Sequence, residues 1–304
     1  ASTAIFNIGT GGAAGVLNVN SLTSSGGANG TVNFNHTDTN YYFTNDSTST
    51  STAVLLTGSL LVNHTGSGTT ILNGVNTYTG ATTINAGTLR VNGSNANSAT
   101  TVNTGGTLGG TGTVGSVNVS GGTFAPGNSI GTTTVTGSVD FTGGGNYNVE
   151  VDAAGNTDLI NASGTATLTG GIVNVQPAAG TYALSTDYTI LTAGGGLGGT
   201  TFDSVNSNLA FLTPTLSYDA NNVFLTLIRN STNFASVAST PNQTAVATVM
   251  DSNPTGVSDI VNNLLSLSST DAQQAFESLS GVQHAGAQTA MQKQNSQFNR
   301  VLSS

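Results

Sequence analysis

The sequence predicts a mostly β protein: a right-handed parallel β-helix (a solenoid) followed by a short α-helical C-terminal region. Three observations predict it: a composition rich in Gly, Thr, Ser and Asn, a loose repeat of about 20 residues, and a change of composition near Asn230. Units of similar sequence at such a period stack into solenoids, in which each unit is supported by its neighbours.

The composition is unusually poor in charge. Charged residues make up 6% of the 304 residues, against about a quarter in ordinary soluble domains. Disorder is disfavoured because 36% of the chain is apolar and Val, Leu and Ile recur at regular positions. The sequence has no Cys, so stacked side chains and hydrogen-bonded ladders have to provide the stability that disulfides give many secreted proteins.

The charge balance excludes two classes of partner. The net charge is −9 with four Lys and Arg residues in all, which leaves no basic stripe for nucleic acid or for anionic lipid headgroups. No apolar run is long enough to span a membrane. No signal peptide is present, and the small residues 1–4 resemble the start left after signal cleavage.

The repeat is clearest between residues 73 and 229. Its best copies centre on Leu89, Leu108 and Phe124, which are 19 and 16 residues apart, and residues 168–173 form a weaker copy. Alternation of apolar and polar residues places Val, Ile and Leu on one face of each unit. A propeller blade needs about 40 residues, so the spacing favours rungs of a β-helix.

Three Thr runs accompany the repeat, at residues 82–83, 100–101 and 132–134. Thr favours strands, and stacked on successive rungs these runs are expected to form hydroxyl ladders.

Residues 1–72 predict short strands separated by Gly, Asn and Ser. The apolar runs lie at 16–19, 31–34 and 54–62. The aromatic group at residues 41–43 is interpreted as core rather than as a surface patch.

The C-terminal part changes character, which predicts two domains: a β-helix at 1–229 and an α-helical region at 230–304. Capping boxes at 240–243, with Pro241 at the first helical position, and at 270–273 mark two helix starts. An amphipathic stretch at 257–267 and a final helix at 286–302, with Met291 and Phe298 on its apolar side, complete three or four short helices.

Several segments, taken in order, resemble the passenger domains of autotransporters (type V secretion). Residues 74–89 look like the passenger-associated transport repeat, residues 123–131 like the motif that follows it, and residues 279–285 like the helical stretch before the translocating barrel. The next two family segments are matched by Tyr147-Asn148-Val149-Glu150-Val151 with Asp158-Leu159-Ile160, and by residues 188–191. The resemblance covers roughly residues 64–302 in family order.

The resemblance implies export to the surface of a Gram-negative bacterium through a C-terminal outer-membrane β-barrel. It also implies that the C-terminal part of the passenger helps to drive folding outside the cell. The sequence has no counterpart of the barrel, so we expect either release by cleavage near Ser304 or a chain from which the barrel has been left out.

Three acids form the best candidate for chemistry: Glu150, Asp152 and Asp158. Glu150 and Asp152 are two residues apart and share a face on a strand, and paired carboxylates serve sugar hydrolysis or bind Ca²⁺. The favoured interpretation is structural, with Glu150 and Asp152 facing solvent and Asp158 in a turn. Ca²⁺ binding by the three is left open.

The histidines predict no metal site. His36, His64 and His284 are far apart and lack zinc-ligand spacing. The sequence therefore predicts no catalytic residue, no cofactor and no metal site.

The predicted function is that of a secreted, surface-exposed structural or adhesive protein, not an enzyme. No N-terminal cap is evident in residues 1–30, and residues 5–8 form a strand-like start, so head-to-tail assembly into extracellular fibres through strand or end-to-end contacts is expected. Glycans or other surface ligands are expected partners, and nucleic acid is not. The alternatives are a polysaccharide-active β-helix enzyme, disfavoured by the few basic residues, and a pure folding and export scaffold.

Overall fold

The computed structural model describes residues 4–24, 30–183, 185–253 and 258–281. The chain forms two units. The first comprises residues 1–177, 186–207 and 214–226, and the second comprises 178–185, 208–213 and 227–304. The domain boundary between residues 229 and 230 stays a prediction.

Short strands are the main secondary structure of the described chain. In chain order they are β1 (Ile5–Gly12), β2 (Ser21–Ser24), β3 (Thr31–His36), β4 (Tyr41–Tyr42), β5 (Leu55–Gly58), β6 (Leu61–His64), β7 (Thr69–Leu72), β8 (Thr82–Ile84), β9 (Gly87–Val91), β10 (Ser94–Asn95), β11 (Thr100–Asn103), β12 (Gly106–Gly110), β13 (Thr113–Val114), β14 (Val117–Ser120), β15 (Thr123–Pro126), β16 (Thr132–Val135), β17 (Val139–Asp140), β18 (Gly145–Val151), β19 (Leu159–Ala162), β20 (Ala166–Thr167), β21 (Gly171–Pro177), β22 (Ser185–Ala193), β23 (Ser204–Ser207), β24 (Leu212–Tyr218) and β25 (Asn222–Arg229).

The strands form three long sheets and one short one. The first sheet runs β1-β3-β6-β8-β11-β14-β17-β20, the second β10-β13-β16-β19-β22-β25-β24, and the third β23-β21-β18-β15-β12-β9-β7-β4, while β2 pairs with β5. Strands of the first and third sheets pair in parallel with strands of the preceding and following turns of chain. This arrangement confirms the predicted parallel β-helix.

The sequence repeat corresponds to a column of side chains inside the solenoid. Leu89 pairs with Leu108, Leu108 with Phe124, and Phe124 with Tyr147, and all four are fully buried. Burial of each such side chain contributes about 1.5–3 kcal/mol. The apolar repeat therefore sets the register of the third sheet.

Asn amides, rather than the predicted Thr hydroxyls, link neighbouring rungs at several positions. Asn103 donates to Asn85, Asn33 to Asn7, and the buried Asn76 to Asn95. Further pairs are Asn92 with Asn73 and Asn174 with Asn146. In the Thr runs, Thr82 bonds instead to the hydroxyls of Tyr78 and Ser98. An amide carries both donors and an acceptor, so identical Asn side chains can bond in series along a stack.

The first 72 residues contain most of the predicted strands. Residues 31–34 lie in β3, and the run at 54–62 supplies β5 and β6. The run at 16–19 is not a strand, and the prediction was wrong there, since among the described residues it has no neighbouring strand to pair with. Tyr41 and Phe43 are buried, which confirms their assignment to the core.

Four helices are described in the C-terminal part: α1 (Phe234–Val237), α2 (Pro241–Ser252), α3 (Ser258–Leu264) and α4 (Ser269–Leu279). The predicted helix at 286–302, residue 257 of the predicted amphipathic stretch, and residues 282–285 of the family segment lie outside the described residues. No described helix is long and apolar enough to cross a membrane.

The two helix starts differ in how well the sequence predicts them. Thr240 caps α2 by accepting from the Gln243 amide, with Pro241 at the first position, as expected. The cap of α4 is Ser268, not Thr270. Ser268 bonds both the backbone amide and the carboxylate of Asp271, so the Ser-x-x-Asp pattern, two residues upstream, begins the helix earlier.

The second unit has its own aromatic core. Phe234 lies against Phe211 and Phe276, with ring centroids 4.6 and 6.4 Å away. The Arg229 guanidinium stacks over Phe211 and Phe234 and donates to the carbonyls of Phe211 and Thr232. These contacts give Arg229, one of the few basic side chains, a structural role in this core.

Candidate functional site

The three predicted acids lie close together but have different roles. Glu150 is on the outer face of β18. Asp152 follows the strand and closes a turn by accepting from the Ala154 and Asn156 amides at 2.9 Å. Hydrogen bonds, the Asn156 side chain foremost, hold the pKa of Asp152 below its usual value. Asp152 is therefore the turn acid that the sequence had placed at Asp158.

Asp158 is a buried carboxyl group that lies after the turn, immediately before β19, so the expectation of a turn acid at this position was wrong. It is 1% exposed. Its Oδ1 accepts from the Gly131 amide and its Oδ2 from the Glu150 amide, both at 2.9 Å. Burial raises its pKa from 3.8 to about 7, against the opposing effect of these two amide bonds. Asp158 thus joins the loop before β16 to strand β18.

A cavity of about 130 Å³ lies beside Asp158 on the outer face of the third sheet. We call it the polar cleft. It is lined by Thr88, Arg90, Thr107, Gly109, Ala125, Pro126, Gly127, Asn128, Ser129, Asn148, Glu150, Asp158 and Gln176. The sequence did not predict that Arg90 and Glu150 share a cavity, because they come from different rungs.

Two histidines that are distant in sequence meet inside the solenoid. Nε2 of His36 and Nε2 of His64 lie 2.7 and 3.0 Å from the Thr70 hydroxyl, and Nδ1 of His64 lies 2.8 Å from the Ala86 carbonyl. Both rings are fully buried, and burial lowers the pKa of His64 to about 4. The register of the two strands places Phe34, not His36, beside His64, so no copy in the sequence predicted this pair.

These residues form no recognisable metal centre. Within the described ranges, no group of three or more His, Cys, Asp and Glu side chains converges as metal ligands do. His284 lies outside those ranges.

A second cavity, of about 410 Å³, lies at the N-terminal end of the solenoid. We call it the N-terminal mouth; Ala4, Ile5, Phe6, Leu22, Thr23, Ser24, Gly30, Thr31, Val32 and Leu60 line it. Phe6 pairs in register with Val32, and Leu22 with Leu56. Val32 and Leu56 are buried, whereas Phe6 is 42% exposed. Phe6 therefore continues an interior column that no described residue covers.

Two of the strands that line the N-terminal mouth lie at the edge of their sheets. β1 is the last strand of the first sheet, and β2 is one side of the pair with β5. In the described part of the chain, the outer edge of β1 has no strand beside it. An edge of this kind is a template for pairing with another strand.

Comparison with known proteins identifies one matching family model and several similar proteins. The passenger-associated transport repeat matches residues 64–91. An extracellular serine protease of Serratia marcescens is 40% identical over 197 residues, or 62% of this chain and 19% of that protein. A second Serratia marcescens extracellular serine protease is 32% identical over 198 residues, with the same two shares.

A third relative carries a different name. The adhesin BmaC autotransporter of Brucella suis biovar 1 is 37% identical over 117 residues, which are 37% of this chain and 3% of that protein. The chain thus spans about a fifth of the length of the Serratia proteins and a much smaller share of the Brucella protein.

Proposed function

Because the chain is an autotransporter passenger domain, we propose that it acts as a structural and adhesive β-helix whose copies associate end to end through the N-terminal mouth. Such a passenger is secreted or exposed at the surface of a Gram-negative bacterium. Export through an outer-membrane β-barrel follows from this relationship as part of the proposal.

The relatives support a structural role. The matched region occurs in proteins named as proteases and in one named as an adhesin. A region that matches proteins of different named activity supports a structural role for that region rather than either activity. The same reasoning also fits a passenger that serves only as a folding and export scaffold. Observed self-assembly or adhesion would distinguish our proposal from that alternative.

Phe6 carries the assembly proposal. Its ring belongs to the interior column, yet almost half of it is exposed, and the neighbouring Ile5 is 63% exposed. Adding one more layer of chain would bury both the ring and the free edge of β1. Mouth-to-mouth contact would close as a dimer, whereas contact of the mouth with another surface would propagate into a fibre.

Replacement of Phe6 by Asp is expected to abolish concentration-dependent association. A carboxylate buried at the contact would lack a partner and would cost several kcal/mol. Light scattering after size-exclusion chromatography, with electron microscopy at high protein concentration, measures the effect. Val75→Asp is the matched control, since Val75 is 66% exposed and does not line the mouth.

Two results would contradict the assembly proposal. One is a wild-type protein that stays monomeric at high concentration without fibres. The other is a Phe6→Asp protein, folded by circular dichroism, that assembles like the wild type.

A polysaccharide-cleaving enzyme is the second candidate, and one observation favours it. Glu150 and Asp158 line the same cavity, and a carboxyl group with a raised pKa beside a second carboxylate is the pair that glycosidases use. Against it, both oxygens of Asp158 are engaged by backbone amides and the side chain is 1% exposed. Asp158 is therefore poorly placed to reach a glycosidic oxygen.

We expect the purified chain to release no reducing ends from polysaccharides. A reducing-end assay on a panel of bacterial and plant polysaccharides measures this, with the Glu150→Ala variant alongside. Cleavage by the wild type that disappears in Glu150→Ala would establish the enzymatic alternative instead.

A further inference from the structure

We propose that the polar cleft binds a single neutral sugar ring of a surface glycan. The proposal rests on the adhesive part of the proposed function and names the class of ligand. It is independent of assembly through the N-terminal mouth, because no residue lines both cavities.

Small residues form the floor of the cleft. Arg90 pairs in register with Gly109, and Gly109 with Ala125. A Cβ atom at position 109 would lie 2.9 Å from the Ala125 carbonyl oxygen and 3.6 Å from Cγ of Arg90. The absence of side-chain bulk at 109 and 125 leaves a trough beside the Arg90 side chain.

The loop along one side of the cleft is held in place. Gly127 exchanges two backbone hydrogen bonds with Gly110, at 2.9 and 3.0 Å. The Asn128 amide donates to Asn92 at 2.8 Å, and Asp158 accepts from Gly131. A cavity fixed in this way does not have to be ordered when a ligand binds, which lowers the cost of binding.

The cleft contains polar groups that the protein leaves unused. Within the described ranges, the Arg90 guanidinium and the Glu150 carboxylate make no hydrogen bond or salt bridge, although both line the cavity. Thr88 and Thr107 add hydroxyl groups on the same surface. Donors and acceptors thus converge on one space, as the hydroxyl groups of a sugar require.

Charge and size select the ligand class. The opposite charges of Arg90 and Glu150 offset each other in one cavity and leave little net charge to favour an anion or a cation, so a neutral ligand suits the cleft best. Its volume of about 130 Å³ is well below that of pockets for drug-sized ligands, which measure roughly 300–1,000 Å³. A single ring at the end or along the side of a glycan is the ligand that this space accommodates.

Saturation-transfer NMR and calorimetric titration with methyl glycosides of glucose, galactose, mannose and N-acetylglucosamine test the proposal, with glucuronate as the charged comparator. We expect at least one neutral glycoside to bind and glucuronate to bind more weakly. Arg90→Ala and Glu150→Gln are each expected to weaken that binding by about tenfold or more, because each removes a hydrogen-bonding partner of the sugar.

Controls separate this result from folding and from assembly. Asp187→Asn removes an exposed carboxylate outside the cleft and should bind as the wild type does. Phe6→Asp should also bind normally, even if it no longer assembles. Failure of all four neutral glycosides to bind, tighter binding of glucuronate, or wild-type binding by folded Arg90→Ala and Glu150→Gln proteins would each overturn the proposal.

Discussion

Replacement of Gly110 by Ala is expected to destabilise the β-helix by about 3 kcal/mol or more. Gly110 ends β12 with φ +103°, and a Cβ atom there would lie 2.2 Å from the carbonyl oxygen of Val91 and 2.6 Å from its carbonyl carbon. A non-glycine residue at positive φ costs about 1–2 kcal/mol, and forcing atoms into a packed core costs a further 1–3 kcal/mol, roughly. Backbone atoms of the neighbouring rung cannot move without disturbing the ladder.

Gly155→Ala is the control that separates the two contributions. Gly155 has φ +91°, but an added Cβ would have no atom within 4 Å. The Gly155→Ala variant should therefore lose only about 1–2 kcal/mol of unfolding free energy, which is the cost of a non-glycine residue at positive φ. Urea unfolding followed by far-ultraviolet circular dichroism gives the free energy of unfolding of each variant. Equal losses in the two variants would show that close rung stacking at Gly110 does not limit stability.

Acidification is expected to remove about 3 kcal/mol of stability through His64. Its pKa in the folded chain is about 4, against an ordinary value of 6.5, and each pKa unit corresponds to about 1.4 kcal/mol. Between these two pH values the unfolded chain binds more protons than the folded chain. The contribution of His64 to stability is therefore complete above about pH 6.5, declines as the pH falls, and is lost near pH 4.

Burial is the main cause of the low pKa of His64, and its hydrogen bond to Ala86 opposes that effect. The hydrogen bonds around the ring determine where its hydrogen lies. The Ala86 carbonyl only accepts, so Nδ1 of His64 carries a hydrogen, and Nε2 accepts from the Thr70 hydroxyl. That hydroxyl in turn accepts from Nε2 of His36. If Nε2 of His64 gained a proton, the Thr70 hydroxyl could no longer donate to it. The buried hydroxyl would then lie between two ring nitrogens that both carry a hydrogen.

Comparison of the wild type with His64→Gln isolates the effect. The pKa of Asp158 is raised from 3.8 to about 7, so its contribution has the opposite sign: it is present below about pH 4 and is lost as the pH rises through 7. The difference in unfolding free energy between wild type and His64→Gln, measured from pH 7.5 to 4, cancels the Asp158 contribution. A difference that stays constant over this range would contradict the assignment to His64.

Several features were predictable because local rules decide them. Alternation of apolar residues within each repeat, together with its period, predicted the column from Leu89 to Phe124. The Thr-Pro-Asn-Gln sequence at 240–243 predicted the start of α2. At Ser268 the same kind of rule applied, but two competing capping patterns overlap within the six residues 268–273, and the sequence analysis chose the wrong one.

By itself, the sequence determined the class of fold, the register of the repeated rungs and the family, because these depend on periodicity and on ordered motifs along the chain. Tertiary structure alone decided that Asp158 is buried, that Arg90 and Glu150 line one cavity, that His36 and His64 share Thr70, and that no described residue covers Phe6. The physical reason is that rungs differ in length, so which residues become neighbours across rungs is set by how the whole chain winds. Burial and hydrogen bonding then give those residues properties that no local pattern encodes.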